Sequence, residues 1–154
     1  MARRKWNATP FWRFAFLVYC AVMLWLLFGR SNGWDSPLPY KALLRQNTNL
    51  VPFYTTKNYL HILRYSTDRY MRNHCFINLG GNILLFVPAG WLLPRIWPKM
   101  RNFFRFFALC FGAIFLVETL QLFTLLGRFD VDDLILNLAG MVLGFILYTI
   151  KKSK

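Results

Sequence analysis

Residues 106–150 read FFALCFGAIFLVETLQLFTLLGRFDVDDLILNLAGMVLGFILYTI, and this stretch decides the fold. Two apolar runs, 106–126 and 131–150, are separated only by Gly127-Arg128-Phe129-Asp130. Each comes close to the ~20 residues that an α-helix needs to cross a hydrocarbon core about 30 Å thick. The short polar break leaves room for a tight turn and nothing else. The pair therefore reads as a membrane hairpin. Working outward, an earlier run covers 75–97 and a first one covers 11–28, giving four spans in all. The long outer loop, 30–74, joins the first span to the second. The expected class is an all-α polytopic membrane protein, one domain over residues 1–154.

Composition agrees with this reading. The chain is 56% hydrophobic and 16% charged, against about 45–50% and about 25% for soluble domains. The formal charge of +13 invites a nucleic-acid reading, but Lys and Arg sit at the edges of the apolar runs, where they meet lipid phosphates and set topology. No nucleic-acid partner is expected; membrane lipids are. Cys20, Cys75 and Cys110 are scattered, and His61 and His74 are far apart. Neither a disulfide framework nor a metal site follows, and no cofactor is expected.

The first run competes with a cleavable signal peptide. It exceeds the ~7–15 apolar residues of such a segment, and Gly29-Arg30-Ser31-Asn32 is a poor cleavage site. Orientation follows from the basic residues. With the amino terminus inside, the cytoplasmic side collects Arg3, Arg4, Lys5, Arg13, Arg95, Lys99, Arg101, Arg105, Lys151, Lys152 and Lys154, with no acidic residue. Asp35, Asp68, Asp130, Asp132 and Asp133 fall on the other side. Both termini are expected in the cytoplasm. Within the outer loop, the apolar residues of 57–73 suit either a helix lying on the leaflet or a surface loop capping the bundle.

Polar residues inside spans carry the functional expectation, because each is costly in hydrocarbon. At 1.5 Å per residue, Glu118 lies about 12 Å, Asn82 about 10 Å and Asn137 about 9 Å from the outer ends of their spans. Gln121 shares the face of Glu118, Asn78 that of Asn82, and Asp133 that of Asn137. A polar pocket open to the outside is expected, formed by Asn78, Asn82, Glu118, Gln121, Arg128, Asp130, Asp133 and Asn137. Arg128 is the long-reach partner for Glu118, with Asp130 and Asp133 competing for it. Asp130 is also placed to cap the fourth helix, Asp132 is expected to face water, and Gly140-x-x-x-Gly144 suits close helix packing. Pro88 lacks an N–H, deprives the Leu84 carbonyl of its helical partner and predicts a kink. Catalytic candidates stop at Glu118 and Asp133, as an acid–base pair or as cation ligands with Asp130. No nucleophile arrangement is present.

Four ordered pieces carry a family resemblance. They are Asn49-Leu50-Val51-Pro52-Phe53, the run from Gly81-Asn82 through Pro88-Ala89-Gly90 to Pro94, Glu118-Thr119-Leu120-Gln121, and Gly127-Arg128-Phe129-Asp130-Val131-Asp132-Asp133 on to Asn137 and Gly140. Together they resemble the VanZ-like family over roughly residues 47–144. The resemblance implies a bacterial plasma-membrane protein whose founding relative lowers sensitivity to teicoplanin, a lipid-tailed glycopeptide antibiotic. Carried onto this chain, the family positions are Asn49, Pro52, Phe53, Asn82, Pro88, Gly90, Glu118, Gln121, Asp130, Asp133 and Asn137. Two functions are expected, the first from this resemblance and the second from Glu118 and Asp133. One is a non-enzymatic pocket engaging a lipid-linked cell-wall precursor or the antibiotic; the other is an enzyme that modifies an envelope lipid or glycan.

Overall fold

The structure, a computed structural model, describes residues 10–29 and 37–153. Arg3, Arg4, Lys5, Arg30, Ser31, Asn32, Asp35 and Lys154, which enter the charge and cleavage readings above, lie outside the described residues. The elements run α1 (Pro10–Phe28), α2 (Tyr40–Gln46), β1 (Thr48–Asn49), α3 (Tyr54–Tyr65), α4 (Arg69–Leu84), α5 (Val87–Ile96), α6 (Phe103–Phe123), β2 (Phe129–Asp130) and α7 (Val131–Ser153). Among the described residues, four stretches are long and apolar enough to cross a membrane: Pro10–Phe28, Arg69–Ile96, Phe103–Phe123 and Val131–Lys152. The protein is a multi-pass, all-α membrane protein.

Several boundaries move for local reasons. The second span begins at Arg69, not at 75, because the Asp68 carboxylate accepts from the backbone N–H groups of Tyr70 at 2.8 Å and Met71 at 3.4 Å. Such an N-cap satisfies donors that the first turn otherwise leaves open. The stretch 57–73 is therefore not one helix. It divides at Ser66–Asp68, and its second part extends the span. The third span ends at Phe123 instead of 126, where Leu125 turns left-handed (φ 56°).

The kink expected at Pro88 takes the form of a break at Leu85–Phe86, after which α5 restarts with Pro88 in its first turn. There a missing N–H costs nothing, because first-turn donors have no helical acceptor anyway. The Tyr19 hydroxyl donates to the freed Leu85 carbonyl at 2.9 Å and so fastens α1 to the break.

The core sits where α5 and α6 meet α7. Phe86, Ala89, Leu93, Phe106, Cys110, Ile114, Leu134, Leu138, Met141 and Phe145 are buried together, with Met23 reaching in from α1. The centroids of Phe106 and Phe145 are 4.7 Å apart. Glycines let backbones touch here. A Cβ on Gly140 would fall on the Ile83 carbonyl oxygen, one on Gly144 on that of Val87, and one on Gly90 on that of Met141. The Gly140/Gly144 face is thus a packing surface, which suits small residues in membrane helices. By contrast α1 buries only Met23, and Phe11, Phe14, Leu17 and Trp25 point away from the bundle.

The two ends of the bundle differ. At one end Arg95 lies 4.2 Å over the Trp12 ring and 4.7 Å over that of Trp91, close to Lys151 and Lys152. This is the basic end. The other, the loop end, carries residues 37–74 of the expected outer loop, and these are folded. Strand β1 pairs in parallel with β2, Thr48 opposite Phe129 and Asn49 opposite Asp130. The pairing lashes α2 and α3 to the turn between α6 and α7.

Candidate functional site

Three aspartates at the start of α7 have three different tasks. Asp130 precedes the helix and accepts the Asp132 N–H at 2.9 Å, the capping role expected of it. Its carboxylate also accepts from the Asn49 side-chain amide at 3.2 Å and the Thr55 hydroxyl at 2.6 Å. The turn, the strand pair and α3 therefore share one anion.

Asp132 overturns its expectation. Instead of facing water it is 1% exposed, accepting the Phe53 N–H at 2.5 Å and the Thr56 N–H at 2.8 Å. Phe53, left-handed at φ 63°, is the residue before α3 and supplies no side-chain cap. The fourth span thus caps a helix of the loop. Sequence position hid this, because the acceptor and its donors are more than 70 residues apart. Asp133 points along the Gly140/Gly144 face and accepts from the Asn82 side-chain amide. That bond joins α7 to α4 at one depth.

These residues enclose a cavity of about 580 Å³ at the loop end. All eight expected pocket residues line it: Asn78, Asn82, Glu118, Gln121, Arg128, Asp130, Asp133 and Asn137. Asn47, Thr55, Tyr59 and His74 also line it, and the sequence reading did not include them. Only His74, one helical turn before Asn78, left a spacing signal. Asn47, Thr55 and Tyr59 enter the wall because the loop folds over it. Burial raises the Tyr59 phenol above its ordinary pKa, and the charges of Asp133 and Asp130 add to this while Arg128 opposes it. Tyr59 therefore stays a neutral hydroxyl at the cavity wall.

Several lining groups are already engaged. Gln121 donates to the Leu27 carbonyl at 2.8 Å, tying α6 to α1. Asn78 donates to the His74 carbonyl at 2.8 Å. Arg128 is exposed and forms no ion pair with Glu118, Asp130 or Asp133, so the pairing expected for it does not occur. Its guanidinium lines the cavity wall.

Two acceptors stay open. Glu118 and Asn137 are each 3% exposed, and Glu118 Oε2 and Asn137 Oδ1 are buried with no hydrogen-bond partner among the described residues. Buried polar atoms are nearly always paired, and an orphan costs about 1–3 kcal/mol. Both line the same cavity. With Asp133 beside them, they form an acceptor-rich floor that a group bearing N–H or O–H donors would satisfy. Among the described residues no group of three or more His, Cys, Asp or Glu is placed to hold a metal ion. Asp130, the third carboxylate in the cation reading, is occupied by its three donors.

Comparison with known proteins bears on the whole chain. A family model described as VanZ/LLP1 matches residues 16–152. Searches of curated proteins and of solved structures gave no significant match.

Proposed function

The chain belongs to the VanZ/LLP1 family, and from that premise we propose that its cavity receives the donor-bearing polar head of an envelope amphiphile at the outer face of a bacterial plasma membrane. The occupant is a lipid-linked cell-wall component or a lipoglycopeptide such as teicoplanin, and its capture lowers sensitivity to that drug. The loop end faces outward in this reading, because Arg13, Arg95, Lys99, Arg101, Arg105, Lys151 and Lys152 gather at the opposite end and basic residues favour the cytoplasm. The observation that carries the proposal is the pair of buried, unpartnered acceptors, Glu118 Oε2 and Asn137 Oδ1, in one cavity. Their cost is recovered when a ligand supplies donors. Arg128 at the wall complements an anionic group such as a phosphate on the same head.

The test is antibiotic sensitivity in a Gram-positive host expressing wild type, Glu118→Gln or Asp133→Asn at matched levels. A rise in teicoplanin resistance exceeding any for vancomycin, lost in both variants, is expected. No rise with the wild type would refute the resistance role.

One observation favours a second reading. The free oxygen of Glu118 is placed to exchange a proton with a bound head, so the cavity also suits a membrane enzyme with Glu118 as acid or base and Asp133 beside it. That reading requires envelope lipids to change in mass when the gene is deleted, and an unaltered lipid profile would end it.

A further inference from the structure

A second cavity lies beside the first, of about 460 Å³, between α1, α5 and α6. Its lining is apolar, including Phe16, Met23, Leu93, Ala113, Val117 and Trp97. Leu27 lines both this groove and the polar cavity, so the two meet at the outer end of α1. Their junction is held by the Gln121 bond to the Leu27 carbonyl. Leu24, Leu109 and Ala113, also in the lining, are exposed, and the groove therefore opens sideways, where the chain meets bilayer hydrocarbon.

From this continuity we infer that the groove between α1 and α6 seats a hydrocarbon chain of a membrane lipid whose polar head occupies the neighbouring cavity. The inference rests on the head-binding reading above and adds the path of the chain and the source of the ligand. Along α1 the lining runs from Leu27 to Phe16, eleven residues of rise, about 16 Å. Half of a ~30 Å hydrocarbon core is about 15 Å. The groove therefore matches one leaflet's depth, and Trp97 stands at its far end, edge-on to Phe16 at 5.3 Å. The side opening decides between sources, since a chain sliding in from the leaflet never crosses water.

The experiment uses the full protein in nanodiscs doped with phosphatidylethanolamine or phosphatidylcholine carrying a photoactivatable diazirine at mid-chain. The ethanolamine head has N–H donors for the open acceptors; the choline head has none. Adducts are mapped by mass spectrometry to peptides of α1 and α6. Ala113→Phe fills the groove without touching the polar cavity, and Leu109→Trp is a second filler should the first fail to fold. Expected are α1 and α6 adducts several-fold stronger with the ethanolamine lipid, falling to the level of the exposed Phe11, Phe14 and Leu17 positions in Ala113→Phe. Adducts unchanged in both folded fillers, while the head preference persists, overturn the groove and leave the cavity reading standing. Adducts lost in the fillers but equal for the two heads, and unchanged in Glu118→Gln, keep the chain seat and refute head selection. Strong adducts with a soluble teicoplanin-type acyl probe and none with either lipid overturn the membrane source.

Discussion

Replacing Asp132 by alanine should loosen α3 without disturbing the spans. The carboxylate accepts two backbone N–H groups, at 2.5 and 2.8 Å, and hydrogen bonds to a charged acceptor contribute about 1.5–3 kcal/mol each. Phe53 and Tyr54 at the helix start are exposed, so water replaces part of what is lost. Cap removal is also bounded at about 2 kcal/mol in other proteins. A net cost of about 2 kcal/mol is therefore expected, which multiplies the local opening of α3 roughly 30-fold. Amide hydrogen exchange of residues 53–65 in detergent or nanodiscs reads this directly. Asp132→Asn, which keeps one acceptor oxygen, should give roughly half the free-energy effect. Asp68→Ala removes the cap of α4 and serves as a local control, with faster exchange at 70–72 only. Because α3 brings Thr55 and Tyr59 to the cavity wall, Asp132→Ala should also weaken head binding. Exchange in α3 within about twofold of wild type would refute the reasoning, since the cap would then contribute almost nothing.

Gly140→Ala should destabilise strongly, by about 1–3 kcal/mol or more, because its Cβ would strike the Ile83 backbone, which cannot yield as a side chain can. Gly112→Ala, with open space around its Cβ, should leave the melting temperature unchanged or raised; equal losses in the two would refute backbone contact as the cause. Tyr19→Phe should cost about 0.6–1 kcal/mol, the scale of interhelical hydrogen bonds in membranes, and its melt should match wild type if the Leu85 bond is unimportant. Under the positive-inside reading, a Cys introduced at Lys152 reacts with an impermeant maleimide only after the membrane is opened, and one at Leu60 reacts in intact cells. The reverse pattern would invert the topology.

Most of the architecture was legible because hydrocarbon imposes a simple rule. Backbone polar groups must be satisfied within each crossing segment, so apolar runs of span length at 106–126 and 131–150 could hardly be anything but helices. The packing role of Gly140 and Gly144 was readable for a similar reason, since small residues four apart mark one face. The pocket residues were legible as a set because polar side chains in hydrocarbon need a shared purpose, and depth arithmetic put Asn82, Glu118 and Asn137 in one layer. The structure brings them into one cavity. What that arithmetic could not assign was bonding. It offered Arg128 to Glu118, whereas it is Asn82 that reaches Asp133.

Four spans, a break near Pro88 and a layer of polar groups could all be read along the chain, since each follows from hydropathy, a missing N–H or the rise of a helix. What the loop does emerges only once the helices are packed together. The partners of Asp130 and Asp132 lie in residues 49–56, and no local pattern connects an acid at one helix start with donors at another. Nor could periodicity show that Leu27 joins a polar cavity to an apolar groove, because a groove between helices exists only once the helices are placed. Segments in hydrocarbon are constrained one residue at a time by their solvent, whereas a loop in water is constrained only by what it touches.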